Sequence, residues 1–185
     1  PPHAPPPVTS RVGAMGRKSR GRGAHAGATP AIRALDDADA PHEILTYTHD
    51  DRCELGFGPE AARALGEDPA AVLKTLLVGE DGEDRDVGVC VIPVDRRLSL
   101  KAAAHALGLK KVSLIEPSAA ERITGYVVGG ISPLGHRRRL PTMIDDSVKA
   151  LDRVVVSGGR RGMSIALAPA DLASVSGGAF APLTA

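Results

Sequence analysis

The chain has 185 residues, 43% of them hydrophobic and 24% charged, which suits one globular domain with room for a tail. Its four aromatics, Tyr47, Phe57, Tyr126 and Phe180, are too few for an RNA-recognition platform that stacks successive bases. No apolar run approaches the roughly 18 residues of a membrane span, so no membrane contact is expected. Two cysteines give no disulfide framework and no CxxC pair, and Cys90, inside the apolar run 87–92, reads as a buried, inert thiol. The opening Pro1-Pro2-His3-Ala4 lacks the pattern of a secretory signal. A reducing, cytoplasmic setting is the expectation.

The net charge of +1 conceals an asymmetry. Residues 1–28 carry Arg11, Arg17, Lys18, Arg20 and Arg22 and no acid, for +5, and the rest of the chain carries −4. Rich in Pro, Gly and Ala, this segment has too few large apolar residues to offset the entropy of ordering it, and it reads as a disordered tail ahead of a domain over 29–185. It either adds weak, salt-sensitive attraction to nucleic acid or is a solvated extension without function. Met15 within it is a candidate alternative start.

In chain order, Thr29-Pro30 caps and opens a helix that runs to about Ala38. Residues 43–49, with β-branched and aromatic side chains, read as a strand. Residues 59–65 form a short helix closed by Gly66. Asp68-Pro69 begins a turn into the segment 74–78, the turn signal Gly79-Glu80-Asp81-Gly82 follows, and 87–92 is a second apolar strand, so the two pair as a hairpin. Ser99 caps a helix through Leu107, ended by Gly108. Residues 111–115 read as a strand, 118–123 as a helix, 141–144, 154–156 and 163–167 as strands, and 169–175 as the last helix. A central hairpin and a strand-rich C-terminal half break any regular βαβ alternation. An α+β domain with a mixed, strongly curved sheet and flanking helices is the expected class.

The common chemical templates are missing. There is no HExxH and no Cys/His cluster with metal spacing, so no metal site and no cofactor are expected. The segment Ser157-Gly158-Gly159-Arg160-Arg161-Gly162 is glycine-rich and basic, yet lacks the lysine position of a phosphate-binding loop, and Val156-Ser157-Gly158-Gly159 is not the GxSxG nucleophile elbow. Three features remain. Lys74 is a lone charge among apolar neighbours, so that either its stem covers apolar surface while the ammonium reaches water, or it is held in a pocket to polarise a carbonyl or orient a phosphate or ribose hydroxyl. The rigid turn Gly129-Gly130-Ile131-Ser132-Pro133-Leu134-Gly135 lets a backbone approach a ligand and can align N–H groups into an anion nest. Arg137, Arg138 and Arg139 follow at once, and Arg160-Arg161 form a second basic turn; these either suit a phosphodiester backbone or are ordinary surface arginines.

Taken in register, the segments 72–78, 124–135 and 156–162 resemble the YbaK/EbsC family, and within it the Cys-tRNA(Pro) deacylases. The likeness extends from about Thr29 to Phe180 and includes Thr46-Tyr47-Thr48-His49-Asp50 and Leu140-Pro141-Thr142-Met143-Ile144-Asp145. The resemblance implies an editing-domain fold related to that of prolyl-tRNA synthetase. It implies a trans-editing deacylase that removes cysteine from mischarged tRNA(Pro), acting on the acceptor 3′ end and served by prolyl-tRNA synthetase, with no specificity for DNA. It places the essential lysine at Lys74, with Gly129, Gly130 and Ser132 around the reacting carbonyl. Tyr47, His49, Ile131, Pro133, Asp145, Ser157, Gly158 and Gly159 fall to substrate binding, Ser157 near the terminal adenosine, and the five arginines to the tRNA backbone. Two departures stand out: Ser164, where relatives often carry an acid, and the basic N-terminal tail. With no activated nucleophile in the chain, the implied route is attack by the substrate's own thiol, which leaves as a cyclic thiolactone. The rivals are deacylation of another ester, such as Ala-tRNA(Pro), by water, and a non-catalytic module that binds tRNA or synthetase.

Overall fold

The computed structural model describes residues 27–80 and 84–185. The tail over 1–26, with Met15, and the middle of the turn after Gly79 lie outside the described residues. In chain order the first elements are α1 (Pro30–Asp37), β1 (His42–Thr46), α2 (Phe57–Leu65), β2 (Leu73–Gly79), β3 (Gly88–Pro93) and α3 (Leu100–Leu107). After them come β4 (Ser113–Leu114), α4 (Pro117–Thr124), β5 (Thr142–Asp145), β6 (Val154–Ser157), β7 (Met163–Leu167), α5 (Pro169–Ser176) and β8 (Ala179–Ala181).

The expected hairpin is the spine of the molecule. β2 and β3 pair antiparallel from Leu73 opposite Pro93 to Val78 opposite Gly88. On its other side β3 pairs in parallel with β5, and β4 and β8 complete a five-stranded mixed sheet in the order β4-β2-β3-β5-β8. Every residue of β3 is buried, as a continuous apolar run requires when both sheet faces are covered. Alternation along the spine then supplies two cores. Leu77, Val89 and Val91 pack with Leu35 of α1, Ala120 of α4 and Ile165 of β7. Val78, Cys90 and Ile92 turn the other way, toward Ala103 and Ala104 of α3 and toward Leu183. Burial among these carbons pushes the Cys90 thiol up to about 12, consistent with an inert core residue.

The second sheet, β1-β7-β6, is antiparallel and meets the first through a parallel bridge between Val72 and Val155. What the sequence suggests as one curved sheet is therefore two, which share an edge at that bridge and diverge from it. The helix signals are local and hold. Thr29 Oγ1 accepts from the Ile32 N–H at 3.3 Å, Ser99 Oγ from the Ala102 N–H at 3.2 Å, and Gly66 and Gly108 end their helices in the left-handed conformation.

Elsewhere the boundaries move. The strand expected over 43–49 spans His42–Thr46, and the Tyr47 N–H adds one last rung to the Gly162 carbonyl at 2.9 Å before the loop begins. α2 begins at Phe57, two residues ahead of Pro59. The strand expected over 111–115 shrinks to Ser113–Leu114. β8, too short to show alternation, is found only through its parallel pairing with β5. No helix among the described residues is long and apolar enough to cross a membrane.

Candidate active site

A cleft of about 490 Å³ opens where the two sheets part. β2 forms one wall, the ends of β6 and β7 another, and α2, α4 and the glycine turn after Val128 close the remainder. Its lining is mostly apolar, with Tyr47, Lys74, Thr75, Ser157 and Ser164 as the polar side chains.

Lys74 enters this cleft from β2, beside Leu73 and Val94. Its Nζ donates to the Arg96 carbonyl at 2.7 Å and to the Val94 carbonyl at 3.4 Å, so the ammonium is anchored at the strand end instead of drifting in solvent. Burial lowers its pKa below the ordinary lysine value; Asp95 opposes that shift and Arg97 adds to it. A partly dehydrated cation of this kind interacts strongly with a carbonyl or hydroxyl oxygen brought beside it.

The glycine turn lines the same cleft as Lys74 through Gly129 and Ile131. Its shape is dictated by close approach. A Cβ on Gly130 would lie 2.7 Å from the Arg160 Cα, so the turn can lie against the second glycine loop only without a side chain there. Gly129, at φ +88°, accepts the Phe57 ring where a Cβ would stand 2.5 Å from it. Tyr126, buried and raised to about 12 by that burial, donates to the Leu134 carbonyl at 2.6 Å and fixes the far end of the turn. The N–H of Gly130 is spent on the Val127 carbonyl at 2.9 Å, while those of Gly129 and Ile131 are not used in this way. Within the expected nest the Gly130 N–H is thus already used, and the N–H groups of Gly129 and Ile131 have no backbone acceptor among the described residues.

Ser132 is fully buried, its Oγ accepting from the Leu134 N–H at 3.3 Å and its carbonyl engaging His136 Nε2 at 2.6 Å. It shapes the turn and does not reach the cleft. Burial also lowers the His136 pKa, so this ring is a neutral strut beneath the turn. Pro133 is buried next to Ser132, outside the lining.

The mouth of the cleft is clasped by residues distant in sequence. Arg161 lies over the Phe57 ring, its Cζ 5.0 Å from the ring centre, and donates through Nε to the Val128 carbonyl at 2.9 Å. On Phe57 also rests the His49 ring, 5.3 Å between centres. His49 is held by Glu60 Oε2 at 2.8 Å and Asp51 Oδ1 at 3.1 Å, and Glu60 Oε1 takes the Asp50 N–H at 2.7 Å. Through this latch the loop after β1 keeps Tyr47 on the cleft wall, where burial and the nearby Glu60 charge raise its phenol. His49 itself stands behind Phe57, one layer from the lining. Sequence reading missed Phe57 and Glu60; the available signal was one of four aromatics at the start of a short helix with an acid in its first turn.

Ser157 and Ser164 sit opposite each other where β6 pairs with β7. Both line the cleft, and Ser157 Oγ is buried with no hydrogen-bond partner. Gly158 and Gly159 belong to the scaffold. The Gly158 carbonyl accepts from Thr29 Oγ1 at 2.5 Å, and a Cβ on Gly159 would stand 2.8 Å from Tyr126 Cε1. Asp145 is a further correction. At 1% exposure it receives hydrogen bonds from the Leu183 N–H at 3.0 Å, the Ser147 N–H at 3.1 Å and the Ser147 hydroxyl, and it pins the C-terminal segment away from the cleft. Desolvation would raise its pKa, but these bonds outweigh it and hold the carboxyl below the usual range.

The arginines divide. Arg160 lies backbone-to-backbone against Gly130 and Arg161 clasps the mouth. Arg137 folds over Gly125, with its Nε 2.6 Å from where a Cβ would be. Arg138 and Arg139 line a separate groove of about 450 Å³ with Asp84, Asp86 and Leu107, on the α3 side of the large sheet.

Comparison with known proteins fits this geometry. The aminoacyl-tRNA editing domain family matches residues 59–175, which span β2, the glycine turn and both sides of the cleft. A protein of Enterococcus faecalis, EbsC, described as a candidate Cys-tRNA(Pro)/Cys-tRNA(Cys) deacylase, is 37% identical over 84% of this chain and 93% of its own length. The Escherichia coli multifunctional Ser/Thr-tRNA deacylase ProXp-y is 24% identical over 76% of this chain and 82% of its own length. Among solved structures, a candidate trans-editing enzyme for prolyl-tRNA synthetase shares the fold with a TM-score of 0.72 at 23% identity, covering 84% of this chain and 95% of its own. By its matched span and its identity to EbsC, the chain belongs to the aminoacyl-tRNA editing domain family, in the YbaK/EbsC branch.

Proposed function

We propose that this chain removes cysteine from mischarged Cys-tRNA(Pro), by attack of the cysteine thiol on its own ester. Membership of the family makes the protein an aminoacyl-tRNA deacylase; the amino acid and the route are our reading. The observation that carries it is the cleft's chemistry. It offers an anchored ammonium and unspent N–H groups for a carbonyl oxygen, yet no activated nucleophile. Ser157 Oγ has no base beside it, and neither cysteine lines the cleft.

The substrate can supply what is missing. Its sulfur attacks the carbonyl carbon, a C–S bond forms, and the bond to the ribose oxygen breaks. The proton lost by the thiol ends on the ribose hydroxyl, and a cyclic thiolactone is released. Held in an attack-ready pose, an intramolecular thiol gains a very large effective concentration. Lys74 orients the 3′ end, and the N–H groups of Gly129 and Ile131 face the oxygen that gains charge. Few aromatics suggest modest affinity for tRNA, so specificity for the tRNA is borrowed from prolyl-tRNA synthetase. A stable ternary complex of synthetase, tRNA and this protein is the expected finding, and its absence removes that part of the reading.

Deacylation of cysteinyl, alanyl and seryl esters on one tRNA(Pro) separates the routes. The thiol-assisted route expects cleavage of the cysteinyl ester alone; an equal rate on the alanyl ester points to water. The match to a Ser/Thr-tRNA deacylase favours the water route as the second reading, with turnover of the seryl ester as its signature. Tight tRNA binding with no deacylation of any ester would leave a non-catalytic module.

A further inference from the structure

Among the described residues that line the cleft, one carries a formal charge, and it is the cation Lys74. The other polar side chains there are hydroxyls: Tyr47, Thr75, Ser157 and Ser164. No carboxylate is among these lining residues, and two that pack behind them are already hydrogen-bonded. Glu60 is taken by His49 and the Asp50 N–H, and Glu121 by the Val128 N–H at 2.8 Å. Asp95 is exposed and acts on Lys74, with Arg97 opposing it. At the mouth, Arg161 over Phe57 adds a second positive charge.

An aminoacyl ester brings an α-amine, and the protonated fraction of that amine at neutral pH is a cation. A second cation beside Lys74, in an apolar cleft with no carboxylate on its wall, is repelled and loses solvation without compensation. The polar groups that are present suit a neutral partner. Ser157 Oγ is buried and unpaired, and Ser164 lies opposite it at 4% exposure. A hydroxyl donates and accepts, and matches an uncharged group without a counter-ion.

We infer that the acyl subsite grips the ester and the thiol and does not recognise an α-ammonium, so that amine-free thiol-bearing acyl esters of tRNA are substrates beside the cysteinyl ester. This rests on the thiol-assisted reading above. The simplest such ester is 3-mercaptopropionyl-tRNA(Pro). Its sulfur attacks its carbonyl carbon, the ribose oxygen leaves with the thiol proton, and a four-membered thiolactone forms, with atoms and charge balanced as for cysteine.

The test compares cysteinyl- and 3-mercaptopropionyl-tRNA(Pro) with the full-length protein. Each rate is divided by its own uncatalysed rate, because an α-ammonium activates an ester by itself. The expected rate enhancement for the amine-free ester is within about fivefold of that for the cysteinyl ester. A larger loss means that the amine is recognised and overturns the inference. If neither ester is accelerated, the deacylase reading falls and takes this one with it. Ser164→Asp, which puts a carboxylate on the same wall, is expected to shift preference toward the cysteinyl ester by about tenfold or more. An unchanged preference in a folded variant overturns the assignment of that wall, and the wild-type comparison stands without the variant.

Discussion

Two basic turns that look alike in sequence, Arg137-Arg138-Arg139 and Arg160-Arg161, do different things in the fold. Arg160 and Arg161 border the cleft without lining it. One backs Gly130, and the other spans Phe57 and the Val128 carbonyl. Arg138 and Arg139 border a groove shared with Asp84 and Asp86, behind the large sheet, and Arg137 covers Gly125. Charge alone does not separate the two clusters. What separates them is place: Arg137 lies against Gly125 and Arg139 against Gly177, both outside the cleft lining, whereas Arg160 backs the glycine turn and Arg161 reaches the mouth.

Of the changes that separate the two turns, breaking the Gly130–Arg160 contact should have the largest effect. Gly130→Ala sets a methyl carbon 2.7 Å from the Arg160 Cα, and backbone on both sides must move. A displacement of about 1 Å at a reacting centre costs roughly a hundredfold, so kcat for cysteinyl-tRNA(Pro) should fall by about that factor in a protein that still folds. Arg161→Ala removes one hydrogen bond and one cation–π contact, together about 1–2 kcal/mol, and should lower kcat/KM about tenfold. A fluorescence probe at the mouth would report the freed Phe57.

Asp145→Ala should act on stability and leave the turnover of the folded fraction unchanged, since Asp145 lies outside the cleft. Loss of its charged hydrogen bonds costs on the order of 2 kcal/mol, measured by urea unfolding. Because its folded pKa is depressed, that contribution is fully present above the unfolded carboxylate value of about 3.9 and is lost as pH falls through the folded value. The gap between wild type and Asp145→Asn should therefore be wide at neutral pH and close in acid. Arg138→Ala should be the mildest, about twofold in kcat/KM at low salt, and it should reduce the salt slope by at most about one unit. A loss for Arg138→Ala as large as that for Arg161→Ala would erase the distinction between the two turns.

Much of this was legible in the chain. Thr29, Ser99, Gly66 and Gly108 announce their helix ends because capping is settled by one or two residues, and the 87–92 run announces a strand covered on both faces. The parting of the sheets was not, because it follows from the single Val72–Val155 bridge between segments more than 80 positions apart. At the site, Lys74 stands out as a lone charge in an apolar run and the glycine turn as backbone open to a ligand, whereas Tyr47 enters only through the family resemblance. Glu60 and Phe57 do not stand out, because their roles come from His49 and Gly129, neighbours only in space. Asp145 and Ser132 sit within segments that resemble the family, yet a hydrogen-bond network absorbs each of them.

The central claim is that the anchored Lys74 ammonium and the glycine turn hold the acceptor end while the substrate's thiol does the chemistry. Single-turnover deacylation of cysteinyl- and alanyl-tRNA(Pro) by wild type and Lys74→Ala, with circular dichroism to verify folding, tests it most directly. The account predicts fast loss of the cysteinyl ester and none of the alanyl ester by wild type, with loss of the cysteinyl ester slowed by about a hundredfold or more in the variant. Near-normal loss of the cysteinyl ester with a folded Lys74→Ala, or equal loss of the alanyl ester with wild type, would contradict it.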